Sequence, residues 1–200
     1  MQNLDEALFR ALNQAGSNIF LDASMVALTI LGMDYFMVFV GPVLWKGRLR
    51  ELGFDAVVLM ISSDLIVEGL KLLFDRQRPL AVLSDVHTLN WGPITTATGL
   101  SFPSGHATRA FAMGTLIALG TKRNVGVSVL SLAVLIGLSR IYLGLHWPSD
   151  VLAGALLGVL MAFIMRIVGK RDNAYTRTRN RAVRMLRNMK HDDEHTRQGT

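Results

Sequence analysis

Five stretches of this chain are apolar enough to be read as membrane crossings: residues 24–45, 54–74, 104–121, 125–145 and 150–169. A helix that spans hydrocarbon needs about 20 mostly apolar residues, because its backbone groups find no water there and must bond within the segment. The third stretch is the shortest and carries Arg109. Gly154 and Gly158 give the fifth a face of small residues suited to close helix packing. Residues 1–20 are too short to cross. With Leu4, Leu8, Ala11 and Leu12 on one side, they read as an amphipathic helix lying in the interface. Asp5 and Glu6 stand where a signal peptide would carry basic residues. The expected fold is all-α: an integral membrane bundle of about five transmembrane helices with an N-terminal interfacial helix. Its parts are residues 1–20, a membrane-embedded domain at 21–170, and a basic tail at 171–200.

Composition supports this class. Half of the residues are apolar and 18% are charged, with a mean hydropathy of +0.35. That excludes a disordered chain, and the absence of cysteine excludes disulfides, thiolate catalysis and Cys-based zinc sites.

The charges give an orientation. Lys46, Arg48 and Arg50 follow the first stretch, Lys122 and Arg123 follow the third, and nine basic residues lie in 170–200. With five crossings these places share one side, which then holds 14 of the 21 basic residues and should be cytoplasmic. The N-terminus, the loop at 75–103 and the turn at 145–149 fall on the other face. Trp45, Trp91 and Trp147 sit near the expected interfaces as anchors. Within the tail, Ala182, Met185, Leu186 and Met189 recur at helical spacing among arginines, which suits a helix on an anionic inner membrane surface. A nucleic-acid arm is the rival reading, but the stretch offers no interleaved aromatic residue beyond Tyr175.

Against that bias, the outer helix ends collect Lys71, Arg76, Arg78, His106, Arg140, His146 and Asp150. An anionic substrate would explain them. Lys71, Arg78 and Arg140 can only donate, which suits phosphate oxygens. Pro103-Ser104-Gly105-His106 opens a helix, where free backbone N–H groups, a small glycine and a hydroxyl make an anion cradle. Asp150, the natural N-cap of the last stretch, lies four residues after His146 and can hold one ring nitrogen, leaving the other as a nucleophile. His106 is then free to donate a proton. The inventory fits metal-free phosphoryl transfer through a phosphohistidine.

Three segments carry a family resemblance. The run from Lys71 to Arg78-Pro79 resembles the KxxxxxxRP signature of the type 2 phosphatidic acid phosphatase superfamily, which also contains vanadium haloperoxidases and bacterial class A acid phosphatases. Residues 103–106 resemble its PSGH signature, and Ser139-Arg140 through His146 to Asp150 resembles its SRxxxxxHxxxD signature. They occur once each and in order, and the apolar flanks resemble the small membrane-embedded, undecaprenyl-diphosphatase-like branch. The resemblance implies His146 as nucleophile oriented by Asp150, and His106 as the acid that protonates the leaving oxygen and then activates water. It implies Lys71, Arg78, Ser104, Gly105 and Arg140 as holders of the phosphoryl oxygens, with no metal and no cofactor. The implied substrate is a lipid phosphate or diphosphate, with polyprenyl diphosphate favoured over phosphatidate and phosphatidylglycerophosphate. The remoter alternatives are a vanadate-dependent haloperoxidase and a non-catalytic protein that binds headgroups or moves an anion.

Other ionisable residues receive structural expectations. Asp64, Glu68 and Lys71 share one helix face, so Glu68 can position Lys71, or Asp64 and Glu68 can pair with Arg109. Asp34 and Asp55 are treated likewise. His191 and His195 flank Asp192, Asp193 and Glu194, which reads as a solvated tail end rather than a metal site, and His87 receives no role.

Overall fold

A computed structural model describes residues 2–16, 18–33, 49–89, 99–171 and 173–198, apart from the side chains of residues 2, 3 and 186–198. Among them the chain is helical, with no strand. Its helices are α1 (Gln2–Asn13), α2 (Ile19–Leu31), α3 (Arg50–Phe74), α4 (Gly105–Gly120), α5 (Arg123–Tyr142), α6 (Pro148–Arg171) and α7 (Asn173–Gln198), with one further turn at Pro79–Val82.

Local chemistry sets the boundaries, and several differ from the sequence reading. Asn18 caps α2 by accepting from the Leu21 N–H at 2.9 Å, so this helix begins at Ile19 rather than near residue 24. It ends against Gly32, where a Cβ would stand 2.6 Å from Ile136 and 3.1 Å from the His106 ring. The rest of the first apolar stretch lies outside the described residues, as do Asp34, Trp45, Lys46, Arg48 and Trp91. α3 starts at Arg50, four residues before the expected position, and closes on Asp75 in the left-handed region. In α6 the proline takes the first helical position, where its missing N–H costs nothing. Asp150 is therefore a first-turn residue, not the N-cap. Its side chain reaches back to accept from the Trp147 N–H at 2.9 Å.

The core lies where α4 is gripped between α3, α5 and α6. Leu59, Ala112, Leu116, Ile136 and Ala162 are fully buried there. The expected small-residue face of α6 makes this contact. A Cβ on Gly154 would meet the Ser104 carbonyl at 2.5 Å, and one on Gly158 would overlap the Thr108 carbonyl. Apolar side chains also cover the outside: Leu65, Leu72 and Leu156 are 72%, 80% and 63% exposed. Hydrocarbon is the solvent that such a surface fits. α5 and α6 have both the length and the composition of spans. α3 is long enough at 25 residues but carries Asp55, Asp64, Glu68 and Lys71, and α4 has 16 residues.

At the two ends, α1 and α7 are docked by polar contacts. Phe9 of α1 is buried against Trp147, while Leu4 and Leu8 remain exposed. Asp55 of α3 accepts from the Tyr175 hydroxyl at 2.6 Å and from Arg179 at 3.1 Å, and Arg179 also pairs with Glu51. Asp55 thus holds the start of the tail helix. The side chains of His191, Asp192, Asp193, Glu194 and His195 lie outside the described residues.

Candidate active site

The turn between α5 and α6 delivers His146. Gly144 takes φ +74°, and a Cβ there would run into Val86. The Leu145 N–H then donates to the Arg140 carbonyl at 3.0 Å, which turns the chain inwards. His146 is 2% exposed. Its Nε2 lies 3.1 Å from Arg78 Nη1. A guanidinium has no lone pair to offer, so Nε2 carries the lone pair and Nδ1 the proton. Nδ1 faces Asp150 Oδ2 at 3.5 Å, at the outer edge of a hydrogen bond, and Ser101 Oγ at the same distance. Burial pushes the His146 imidazole down to about 3, with Arg78 and Arg140 adding to the effect against the pull of Asp150.

Asp150 is fully buried and both of its oxygens are taken. Oδ2 accepts from the Ser101 hydroxyl and the Trp147 N–H, and Oδ1 accepts from Arg76 at 2.7 Å. The carboxylate is fixed before any substrate arrives.

Two arginines stand beside this pair. Arg78 is 7% exposed and donates to the carbonyls of Gly99 and Leu145 at 3.1 and 2.8 Å, and to His146. Arg140 is 4% exposed and donates to Thr29 Oγ1 at 3.0 Å, while its buried Nε has no partner among the described residues. Among those residues, neither arginine pairs with a carboxylate. Two buried guanidinium groups within electrostatic reach of each other repel. Negative charge bound between them relieves that repulsion.

The opposite wall is the start of α4. Ser104 is fully buried and caps the helix, its Oγ 3.4 Å from the Ala107 N–H. Its own N–H is spent on the Asp150 carbonyl at 3.0 Å, which ties α4 to α6. That tie has no signal in the sequence and removes one amide from the expected cradle. The Ser104 hydroxyl proton and the buried Gly105 remain on that wall. His106 follows, within electrostatic reach of Arg78, Arg140 and His146. Its Nδ1 faces Arg109 Nη2 at 3.5 Å, and its buried Nε2 has no partner among the described residues. By the same donor argument the proton belongs on Nε2, the nitrogen open to a leaving group.

Of the residues singled out by sequence, His106, His146, Asp150, Arg78, Arg140, Ser104 and Gly105 converge here. Lys71 stands apart at the rim, with its ammonium on Glu68 at 2.7 Å. Arg109 pairs with Asp64 at 2.7 Å, so the two alternatives for these acids divide: Glu68 serves Lys71 and Asp64 serves Arg109. His87, given no role, meets Asp22 at 3.2 Å. Sequence reasoning misses Asp5, Thr29 and Ser101 as partners of the site, and it gathers Arg76 with the outer cations without pairing it to Asp150. Arg76 lies inside the first signature at an unspecified position, and nothing local marks Asp5, Thr29 or Ser101.

Known proteins are similar to this chain over most of its length. The family model described as the PAP2 superfamily matches residues 52–173. A bacitracin transport permease protein, BcrC, of Bacillus licheniformis is 34% identical over 160 residues, covering 78% of this chain and 76% of that protein. An undecaprenyl-diphosphatase of Sulfolobus acidocaldarius is 31% identical over 146 residues, covering 72% and 68%. Among solved structures, a transmembrane PAP2-type phosphatidylglycerolphosphate phosphatase from Bacillus subtilis is 26% identical. It superposes with a TM-score of 0.69 over 86% of this chain and 87% of that one.

Proposed function

This chain belongs to the PAP2 superfamily, and from that premise we propose that it hydrolyses a lipid diphosphate, with polyprenyl diphosphate as the favoured substrate, through a phosphohistidine at His146. The observation that carries the reading is the pair of buried cations, Arg78 and Arg140, beside a histidine lone pair. A phosphoryl group supplies negative charge for both cations and the electrophile for the lone pair together. The similarity to an undecaprenyl-diphosphatase supports the choice of lipid.

The steps follow from the atoms. Phosphoryl oxygens displace His146 from Arg78 and bind Arg78, Arg140, the Ser104 hydroxyl and the Gly105 amide, and Lys71 leaves Glu68 to join them. His146 Nε2 attacks phosphorus as the bond to the leaving oxygen breaks, and His106 Nε2–H protonates that oxygen. Asp150 stabilises the charge that develops on the His146 ring. His106, now holding a lone pair, takes a proton from water, whose oxygen attacks phosphorus and breaks the P–N bond. Phosphate leaves and both histidines return to their starting tautomers. The cations act through charge that is already in place, with little reorganisation.

Access runs from the bilayer. Leu72, Leu73 and Phe74 are exposed at the end of α3, next to the chain that carries Arg76 and Arg78. This apolar rim beside a polar site suits an amphiphile that keeps its tail in lipid. The distribution of basic residues supports an extracytoplasmic active site and a cytoplasmic tail.

The test is phosphate release by purified protein in detergent from a panel of lipid mono- and diphosphates. Polyprenyl diphosphate should be turned over fastest, vanadate should inhibit competitively, and EDTA should leave the rate unchanged. Intact cells bearing the protein should also dephosphorylate an added water-soluble short-chain diphosphate without permeabilisation. Activity lost in EDTA and restored by a divalent metal contradicts the mechanism. Hydrolysis only after permeabilisation contradicts the orientation.

A further inference from the structure

Arg76 occupies an unspecified position of the first signature and touches none of the atoms assigned to the substrate, yet both of its terminal nitrogens are engaged beside Asp150. Its Nη1 donates to Asp150 Oδ1 at 2.7 Å and to Ser149 Oγ at 2.6 Å, and its Nη2 pairs with Asp5 Oδ2 at 2.5 Å. The guanidinium lies 5.3 Å over the Trp147 ring. Asp5 in turn accepts from the Ser149 N–H at 2.9 Å and from its hydroxyl at 2.5 Å. The side chains of Asp150, Asp5 and Arg76 are 0%, 12% and 29% exposed.

We propose that Arg76 and Asp5 are positioning residues for the nucleophile, so that the N-terminal helix α1 completes the active site. The inference rests on the reading of His146 as nucleophile and Asp150 as its orienting carboxylate. Asp150 Oδ2 is committed to Ser101, Trp147 N–H and the His146 side; Oδ1 is left for one strong donor, and Arg76 is that donor. A guanidinium presents two nitrogens in a fixed plane, so it bridges two carboxylates in a set geometry, whereas the donors of a lysine ammonium all leave one freely rotating nitrogen. Asp5 fixes the outer nitrogen, and with it the angle at which the inner nitrogen meets Asp150. Docking of Phe9 on Trp147 brings Asp5 to this place. The chain of contacts runs from α1 through Arg76 and Asp150 to the His146 ring.

The prediction is a split between kcat and KM together with a defined non-additivity. Arg76→Met should lower kcat by about 100-fold and leave KM within about threefold, because hydrogen-bond partners behind a reactive group are worth about 10–100-fold in activity. Arg76→Lys should recover part of that loss by restoring the charge on Asp150. Asp5→Asn retains an oxygen for the Ser149 N–H and loses only the charge on Arg76, so it should lower kcat about tenfold. In the Arg76→Met background Asp5→Asn should cost nothing further, since Asp5 acts through Arg76. The measurement is steady-state hydrolysis of a lipid diphosphate by each detergent-purified variant, with melting temperature followed alongside. Additive losses, a KM that rises while kcat holds, or wild-type kcat in folded Asp5→Asn would each overturn the proposal. If Arg76→Met does not fold, Arg76→Lys and Asp5→Asn decide it by the same kcat criterion. A wild-type protein that releases no phosphate would instead remove the underlying function.

Discussion

Burial keeps a proton off the His146 ring far below neutral pH, so its lone pair stays free. In an unfolded chain the ring titrates near 6.5; buried beside Arg78 and Arg140 it is pushed down to about 3. Between these values the unfolded state binds a proton that the folded state does not, so stability falls as pH drops from about 6.5 towards 3. His146→Asn lacks the titrating group and should lose that part of the slope. Melting temperatures measured from pH 7 to pH 4 in detergent should therefore converge as the wild type loses its lead, and parallel curves would contradict the burial argument. This residue was legible in the sequence, as were His106, Asp150, Arg78 and Arg140, because their spacing lies within short local signatures. Thr29 on Arg140, Ser101 on Asp150 and Arg109 on His106 were not so legible. Each partnership joins different segments or depends on how a ring turns, and neither spacing nor composition encodes that.

Helices show the same division between local and tertiary information. The existence of α3, α5 and α6 follows from their apolar runs. The spacing marks Asp150 as a cap, whereas Pro148 takes the first helical position and Asp150 lies inside the first turn. The small face of α6 is legible in Gly154 and Gly158, whereas its partner, α4, is set by tertiary packing alone. Packing there sets the distance between the helix starts that carry His106 and Asp150. Gly158→Ala places a methyl group into the Thr108 carbonyl and the Ala112 amide of α4 and should destabilise by about 1–3 kcal/mol. Gly69 sits in α3 with nothing within 4 Å of the place a methyl group would take. Gly69→Ala should be neutral or stabilising by up to about 1 kcal/mol. Thermal melts of the two variants should move apart, and a Gly158→Ala melt at or above wild type would refute the close α4–α6 contact.

At the scale of the whole molecule, an apolar exterior carries a polar site at one end. α1 and α7 are attached at opposite ends of that core by charge pairs rather than by apolar area alone. Asp5 engages Arg76 beside the site, and Asp55 engages Arg179 at the other end of α3. Composition and basic-residue bias pointed to this layout, but the docking of both terminal helices had no signal in the sequence, where residues 1–20 and 171–200 read as separate appendages. The layout serves one claim: phosphate passes from a lipid to water by way of His146. Rapid quench of His106→Ala with terminally ³²P-labelled lipid diphosphate tests it most directly. A diphosphate expels a phosphate monoester, a weak base that leaves with little help, whereas hydrolysis of the phosphohistidine needs His106 as base; general acid–base assistance is worth about 10²–10⁴-fold. Acid-labile label should accumulate on His106→Ala protein and be absent from His106→Ala/His146→Ala. Label that persists in the double variant would show that another residue takes the phosphoryl group and would contradict the account.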